Sequence, residues 1–246
     1  MESHPSSPRA SAASSPSQHP LDNPIWNSLL TEHSSLAISN HQARRYPSAI
    51  GPLSGITHQS PENYKALRSL AGTEGILVLF CAEKPAPARG WTLIRGGVLT
   101  QMICENPRAA GVELSRGEVL RPLTPEDVPE MVALAQLTEP GPFRERTIEL
   151  GPFFGIFEDG RLVAMAGERM HLPRYVEVSA VCTHPEARGR GYARMLIGVV
   201  MDEIRQRGKT AFLHSLADNH AAIRVYENLG FTQRRTFELA VLKRSE

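Results

Sequence analysis

The chain has 246 residues, of which 41% are hydrophobic and 22% charged, enough apolar material to bury a core without metal or disulfide support. Lys and Arg number 27 and Asp and Glu 26, so the formal net charge of +1 gives no general reason to expect nucleic-acid or membrane-surface binding. The longest apolar stretch, residues 76–82, is far shorter than the roughly 20 residues of a membrane-spanning helix, which excludes that class.

Residues 1–20 contain seven Ser and four Pro without apolar periodicity, which predicts a disordered tail. From 21 to about 107 the chain reads as a mixed segment. Helical stretches are expected around 26–38 and 61–70, with short apolar runs at 76–81 and 98–104. Pro and Gly clusters at 85–90 and 96–97 separate those runs as turns do. Residues 118–123 then read as a strand. Thr124, Pro125 and Asp127 supply an N-cap, a first-turn proline and a capping-box acid before the apolar positions Met131, Leu134 and Leu137. A hairpin is expected where 153–157 and 162–169 flank Asp159-Gly160, since Asp-Gly tolerates positive φ. Residues 175–183 form a strand with Val176, Val178, Ala180 and Cys182 on one side. Tyr192, Met195, Leu196, Val199, Val200 and Ile204 recur at helical spacing. Strands at 212–216 and 237–242 enclose a short helix over 221–229, stopped by Gly230. This order describes one mixed α/β unit.

Cys81, Cys104 and Cys182 are far apart and odd in number, which fits neither a disulfide framework nor a zinc motif. The histidines show no ligand pair at helical spacing, so no metal site is expected. The start of the chain lacks the charged-then-apolar pattern of a secretory signal, and the expected location is the cytoplasm.

The most informative segment is Arg188-Gly189-Arg190-Gly191-Tyr192-Ala193-Arg194, between a strand and an amphipathic helix. Glycines let backbone N–H groups approach a phosphate, a helix N-terminus adds partial positive charge, and the arginines add full charges. A pyrophosphate suits such a loop, although a Gly/Arg turn can also simply cap a surface helix. Neither a Walker A loop nor a dinucleotide fingerprint is present. In the second segment, NHAAIRVYENLGF, Asn219 caps a helix and Tyr226 follows seven residues later on nearly the same face. Its phenol is suited either to packing or to giving a proton to a leaving group.

Together these segments resemble the GNAT (GCN-related N-acetyltransferase) superfamily. Arg188-x-x-Gly191-x-Ala193 is similar to its Q/R-x-x-G-x-G/A loop, and residues 219–231 are similar to its last-helix pattern N-x-x-A-x-x-x-Y-x-x-x-G-F. The run SAVCTHPEARGRGYA resembles glycine N-acyltransferase-like proteins in particular. The resemblance implies an α/β (α+β) acyltransferase fold, a mixed, mostly antiparallel sheet flanked by helices, over residues 112–246. It also implies an N-terminal α/β unit, a degenerate copy of that fold, over 21–111.

Acetyl-CoA would be the co-substrate, without a metal. Backbone groups of Val181, Cys182 and Thr183 would hold the pantetheine arm and the thioester, and Gly189, Arg190, Gly191, Tyr192, Ala193 and Arg194, with Arg188, the pyrophosphate. Asn219 and Ala222 would touch the pantetheine side. Tyr226 would protonate the departing thiolate, and Glu177, six residues before Thr183, would be the general base. Cys182 is read as a core residue, and His214 as a substrate contact or a packed side chain. The reaction implied is acetyl transfer to a primary amine of a small molecule. A peptide acceptor and a non-catalytic acyl-CoA-binding module are the alternatives.

Overall fold

The computed structural model describes residues 19–73, 75–85 and 89–245. The expected Ser/Pro tail thus lies outside the described residues except for His19 and Pro20, as do residues 86–88 of the first Pro/Gly cluster. A 3-10 turn over Pro20–Asp22, capped by His19, leads into α1 (Pro24–Leu30). The helix expected to reach residue 38 stops at Leu30. There the Thr31 hydroxyl donates to the Asn27 carbonyl, and the Thr, His and Ser residues that follow favour such local bonds over helix. The chain continues through β1 (Ile38–Ser39), β2 (Ala43–Arg45) and β3 (Ser54–Ile56), a small antiparallel sheet, to α2 (Pro61–Ser69). Ser60 caps α2 by accepting from the Asn63 N–H.

The remaining elements are β4 (Ile76–Cys81), β5 (Trp91–Cys104), β6 (Glu118–Pro122), α3 (Val128–Thr138), β7 (Phe153–Glu158), β8 (Arg161–His171), β9 (Tyr175–Thr183), α4 (Tyr192–Gln206), β10 (Thr210–Leu216), α5 (His220–Asn228) and β11 (Thr232–Arg244). The eight strands form one sheet in the order β4-β11-β5-β10-β9-β8-β7-β6. Only the β9–β10 pair is parallel; the other neighbours are antiparallel. Asp159 and Gly160, both at positive φ, make the expected hairpin turn. Gly96 and Gly97, expected in a turn, instead lie within β5, because β11 supplies a continuous partner through Ala240 and Leu239.

Helix α4 buries Leu196, Ile197, Val200 and Ile204 on one face of the sheet, against Val176, Val178, Ala211 and Leu213. Each such side chain stabilises the fold by roughly 1.5–3 kcal/mol. The opposite face is covered by α3 near β7–β9 and by the N-terminal segment near β8 and β10. Leu21, Ile25 and Leu29 share a cluster with Met170, Leu172 and Phe212. The boundary expected between 111 and 112 therefore crosses one continuous sheet and one shared core. Within residues 21–111, β1–β3 form their own small sheet, whereas β4 and β5 belong to the large sheet and flank β11.

Where α1 docks, His33 is buried, its Nδ1 2.9 Å from the Tyr46 hydroxyl and its ring stacked on His171 at 4.8 Å. Burial, reinforced by His171, pushes its pKa down to about 4. The folded protein refuses a proton that the unfolded chain accepts, so this contribution is complete above the ordinary histidine pKa and is lost as pH falls towards 4. Thermal unfolding followed by circular dichroism should show a Tm drop of several degrees between about pH 6.5 and pH 4, on the order of 2 kcal/mol. His33→Asn should flatten that slope.

Candidate active site

The site begins where two strands part. β9 and β10 pair through Tyr175–Thr210, Val176–Ala211 and Glu177–Phe212 and no further, although β9 runs on to Thr183 and β10 to Leu216. Ala180 has φ of 51°, and between Ser179 and Cys182 β9 holds one residue more than the facing stretch of β8. This is a β-bulge, which bends the strand and breaks its alternation. Val176 and Val178 face α4, whereas Ala180 and Cys182 pack on the α3 side. The expected single apolar side through Cys182 is thus corrected at the bulge. Beyond Glu177 the edge of β9 that faces β10 has no strand partner, so its peptide groups are open to a ligand. The cleft that results holds about 540 Å³.

At one end of this cleft, α4 starts. Gly189 and Gly191 both have φ of 82°, the left-handed region that favours glycine. Backbone N–H groups from Gly189 to Arg194 have no backbone partner among the described residues. A 15-residue helix adds its positive end there. Of the loop side chains, Arg188 and Ala193 line the cleft. Arg190 instead pairs with Glu158 at 2.6 Å, Tyr192 is buried with its hydroxyl on Glu118, and Arg194 reaches the Ala109 carbonyl. Arg190, Tyr192 and Arg194 therefore leave their N–H groups without backbone partners, while their side chains bond within the protein.

Val181, Cys182 and Thr183 line the cleft, as do Asn219, Ala222 and Tyr226 from the other wall. Thr183 Oγ1 is buried without a hydrogen-bond partner, a donor site that a ligand in the gap would satisfy. The Asn219 side chain caps α5 through the Ala222 N–H at 3.2 Å. Gly230 ends that helix with φ of 98°, and a Cβ there would lie 2.2 Å from the Asn106 carbonyl oxygen, so this glycine is obligatory. The Tyr226 hydroxyl has no protein partner among the described residues, and burial pushes its pKa up to about 12, which keeps the phenol protonated. Burial likewise raises the Cys182 thiol to about 11, making it an unreactive core residue.

Glu177 does not sit where a general base must. It is fully buried, does not line the cleft, and receives two parallel bonds from Arg169 at 2.7 Å and one from His214 at 2.7 Å. Burial opposes its charge, but the Arg169 guanidinium and the His214 bond outweigh it and hold the carboxyl at about 2. A carboxylate so stabilised is a weak proton acceptor, and its distance from the cleft lining sets it apart from the role the resemblance implies. Its two partners, Arg169 and His214, do line the cleft. Arg169 escaped sequence reasoning because only the fold brings it beside Glu177. The apolar wall of Leu53, Val78, Phe80, Leu99, Leu239 and Val241 escaped it for the same reason.

A central parallel pair that parts beside a helix N-terminus, within a mostly antiparallel sheet, is the fold of the acyl-CoA N-acyltransferases. Residues 153–239 match the FR47-like protein family. A GNAT-family protein from Novosphingobium aromaticivorans is 43% identical, with 93% of this chain and all of that chain superposed at a TM-score of 0.84. The ribosomal protein bS18-alanine N-acetyltransferase of Salmonella typhimurium is 30% identical over 122 residues, 45% of this chain and 78% of that one. Mycothiol acetyltransferase of Thermomonospora curvata is 35% identical over 95 residues, 36% of this chain. The match spans only 32% of that relative's length. The chain belongs to the GNAT family of N-acetyltransferases. Among the described residues no helix is long and apolar enough to cross a membrane.

The two loop arginines should separate in calorimetric titration with CoA. Arg188→Ala is expected to weaken binding by about tenfold, the loss of one charged hydrogen bond. Arg190→Ala, already neutralised by Glu158, should change it by less than about threefold.

Proposed function

We propose that the protein transfers an acetyl group from acetyl-CoA to a primary amine of a small molecule, by direct attack within a ternary complex. The parted β9–β10 pair, with a protonated phenol on one wall and an unpartnered helix N-terminus at one end, carries this reading. The pyrophosphate rests on the N–H groups of the 188–194 loop, and the pantetheine arm runs along the open edge of β9. Amine nitrogen attacks the thioester carbonyl carbon, and an N–H of β9 receives the developing oxyanion. The C–S bond then breaks and Tyr226 gives its proton to the leaving thiolate. The proton lost by the amine passes to water, since Glu177 is sealed behind Arg169 and His214.

Support for a compact acceptor comes from the N-terminal segment and β4, whose Leu53, Val78 and Phe80 wall the cleft opposite the loop of residues 138–142. Thiol release from acetyl-CoA, followed with a thiol-reactive dye across amino acids, polyamines, aminoglycosides and short peptides, tests the reading. Release should depend on one class of small amine. Tyr226→Phe should lower kcat by about a hundredfold with little change in KM. A preference for peptides over every small amine would transfer the reading to a peptide acetyltransferase. CoA binding with no release from any amine would make the chain a binding module.

A further inference from the structure

Arg169 is a charged cleft residue for which the acetyl-transfer reading names no task. Its side chain is only 13% exposed, and it borders the cleft beside Ser179 and the loop of residues 140–142. Nε and Nη2 both donate to Glu177. Nη1 has no hydrogen-bond partner among the described residues, and the side chain borders the cleft. A guanidinium held along one edge thus presents its other edge to the cleft.

The hold on Arg169 is itself held. Gln101 Oε1 accepts from Arg234 at 2.9 Å, and its Nε2 donates to the Leu21 carbonyl at 3.0 Å, so the amide orientation is set from both sides. The second Nε2 hydrogen points at His214 Nε2, 3.0 Å away, which must therefore be the lone-pair nitrogen. His214 then carries its proton on Nδ1 and donates it to Glu177. Phe80, Phe212 and Phe237 pack around the imidazole with ring centroids 4.8–5.8 Å away. Each group fixes the next, from Leu21 through Gln101, His214 and Glu177 to the guanidinium. So rigid a donor suits recognition of an oxygen at a fixed place.

We propose that Arg169 determines acceptor specificity, its Nη1 donating to a carbonyl or carboxylate oxygen on the carbon next to the acceptor's amine. Glu177, His214 and Gln101 are its positioning residues. The inference rests on the acetyltransferase reading and narrows it to α-amino carbonyl compounds. Arg169 borders Ser179 and Ala180 at the bulge, whereas Arg188 belongs to the loop before α4. Arg95, from β5 on the other side of the β9–β10 gap, also lines the cleft and adds positive charge that favours a carboxylate, and Glu139 lies beside the 140–142 loop.

The test uses the full chain and three matched amines, namely leucine, leucine amide and isoamylamine, which lacks the carbonyl carbon. At saturating acetyl-CoA, kcat/KM for leucine and for leucine amide should each exceed that for isoamylamine by about ten- to a hundredfold, the worth of a hydrogen bond to a charged group. The ratio of leucine to leucine amide tells a carboxylate site from a carbonyl site. Arg169→Met combined with Glu177→Gln, which leaves no buried charge unpaired, should shrink both acceptor ratios, taken at a fixed concentration of unprotonated amine, by that same factor without moving the KM for acetyl-CoA. Glu177→Gln alone should raise acceptor KM and leave the pH profile of kcat in place. Equal rates for all three amines in the native chain would overturn the proposal, a result that needs no variant to fold. It would equally fall if the preference persisted in the double variant, or if Glu177→Gln removed an ionisation from the kcat profile. Release from no amine at all would instead overturn the acetyltransferase reading beneath it.

Discussion

β9 and β10 share a parallel ladder as far as Glu177 and Phe212, and the left-handed residue Ala180 then carries β9 away. From that parting follow the open peptide edge, the gap that admits a slender ligand, and the exposure of one wall to α5 and the other to the 138–142 loop. The bulge has a local cost, since a residue other than glycine at positive φ is disfavoured by about 1–2 kcal/mol. It is offset by the packing it permits, with Val178 kept under α4 and Cys182 turned towards α3. A regular strand here would have paired with β10 along its length and closed the cleft.

Polar groups are divided between the two sides of that parting. Towards α4 lie unpaired N–H groups, a helix N-terminus and Arg188, which together suit an anion. Towards the N-terminal segment lies a buried chain of ionic and hydrogen-bonded groups in which each charge meets its opposite. Glu177 is tolerable in the core because Arg169 and His214 occupy its oxygens, and Arg234 is balanced by Asp22 at 2.7 Å. Removing one member would strand its partner, which is why such networks are fully satisfied or absent.

Much of the geometry of the 188–194 loop and of α5 was legible in sequence. Two glycines among arginines before an amphipathic run, and the Asn219 to Phe231 pattern, both depend on local rules: positive φ, capping and helical period. The Asp159-Gly160 hairpin and the capping box at Thr124 and Asp127 obey the same rules and were found likewise. The buried network around Glu177 was illegible because it is tertiary. Nothing near Glu177 in sequence announces that Arg169 and His214 will enclose its carboxylate, and an alternating strand gives no sign that Ala180 will break its phase. Arg190 read as a ligand-binding charge because Glu158, 32 residues away, becomes its partner only in the fold. The expected boundary at residue 111 came from the extent of the resemblance, and the large sheet takes strands from both sides of it.

Strand order carries one more consequence, for the history of each molecule. β4 and β5 are made early, yet they do not touch as neighbours, because β11, which follows every other described strand in the chain, enters between them. Until residues 232–244 emerge, two apolar edges stand apart with their backbone groups unpaired. Such edges invite wrong partners during synthesis, and closure across so long a separation is slow. The last strand acts as a keystone: the wall of the cleft formed by Leu239 and Val241 comes into being in the same step that completes the sheet, so a chain that has not finished folding has no complete cleft.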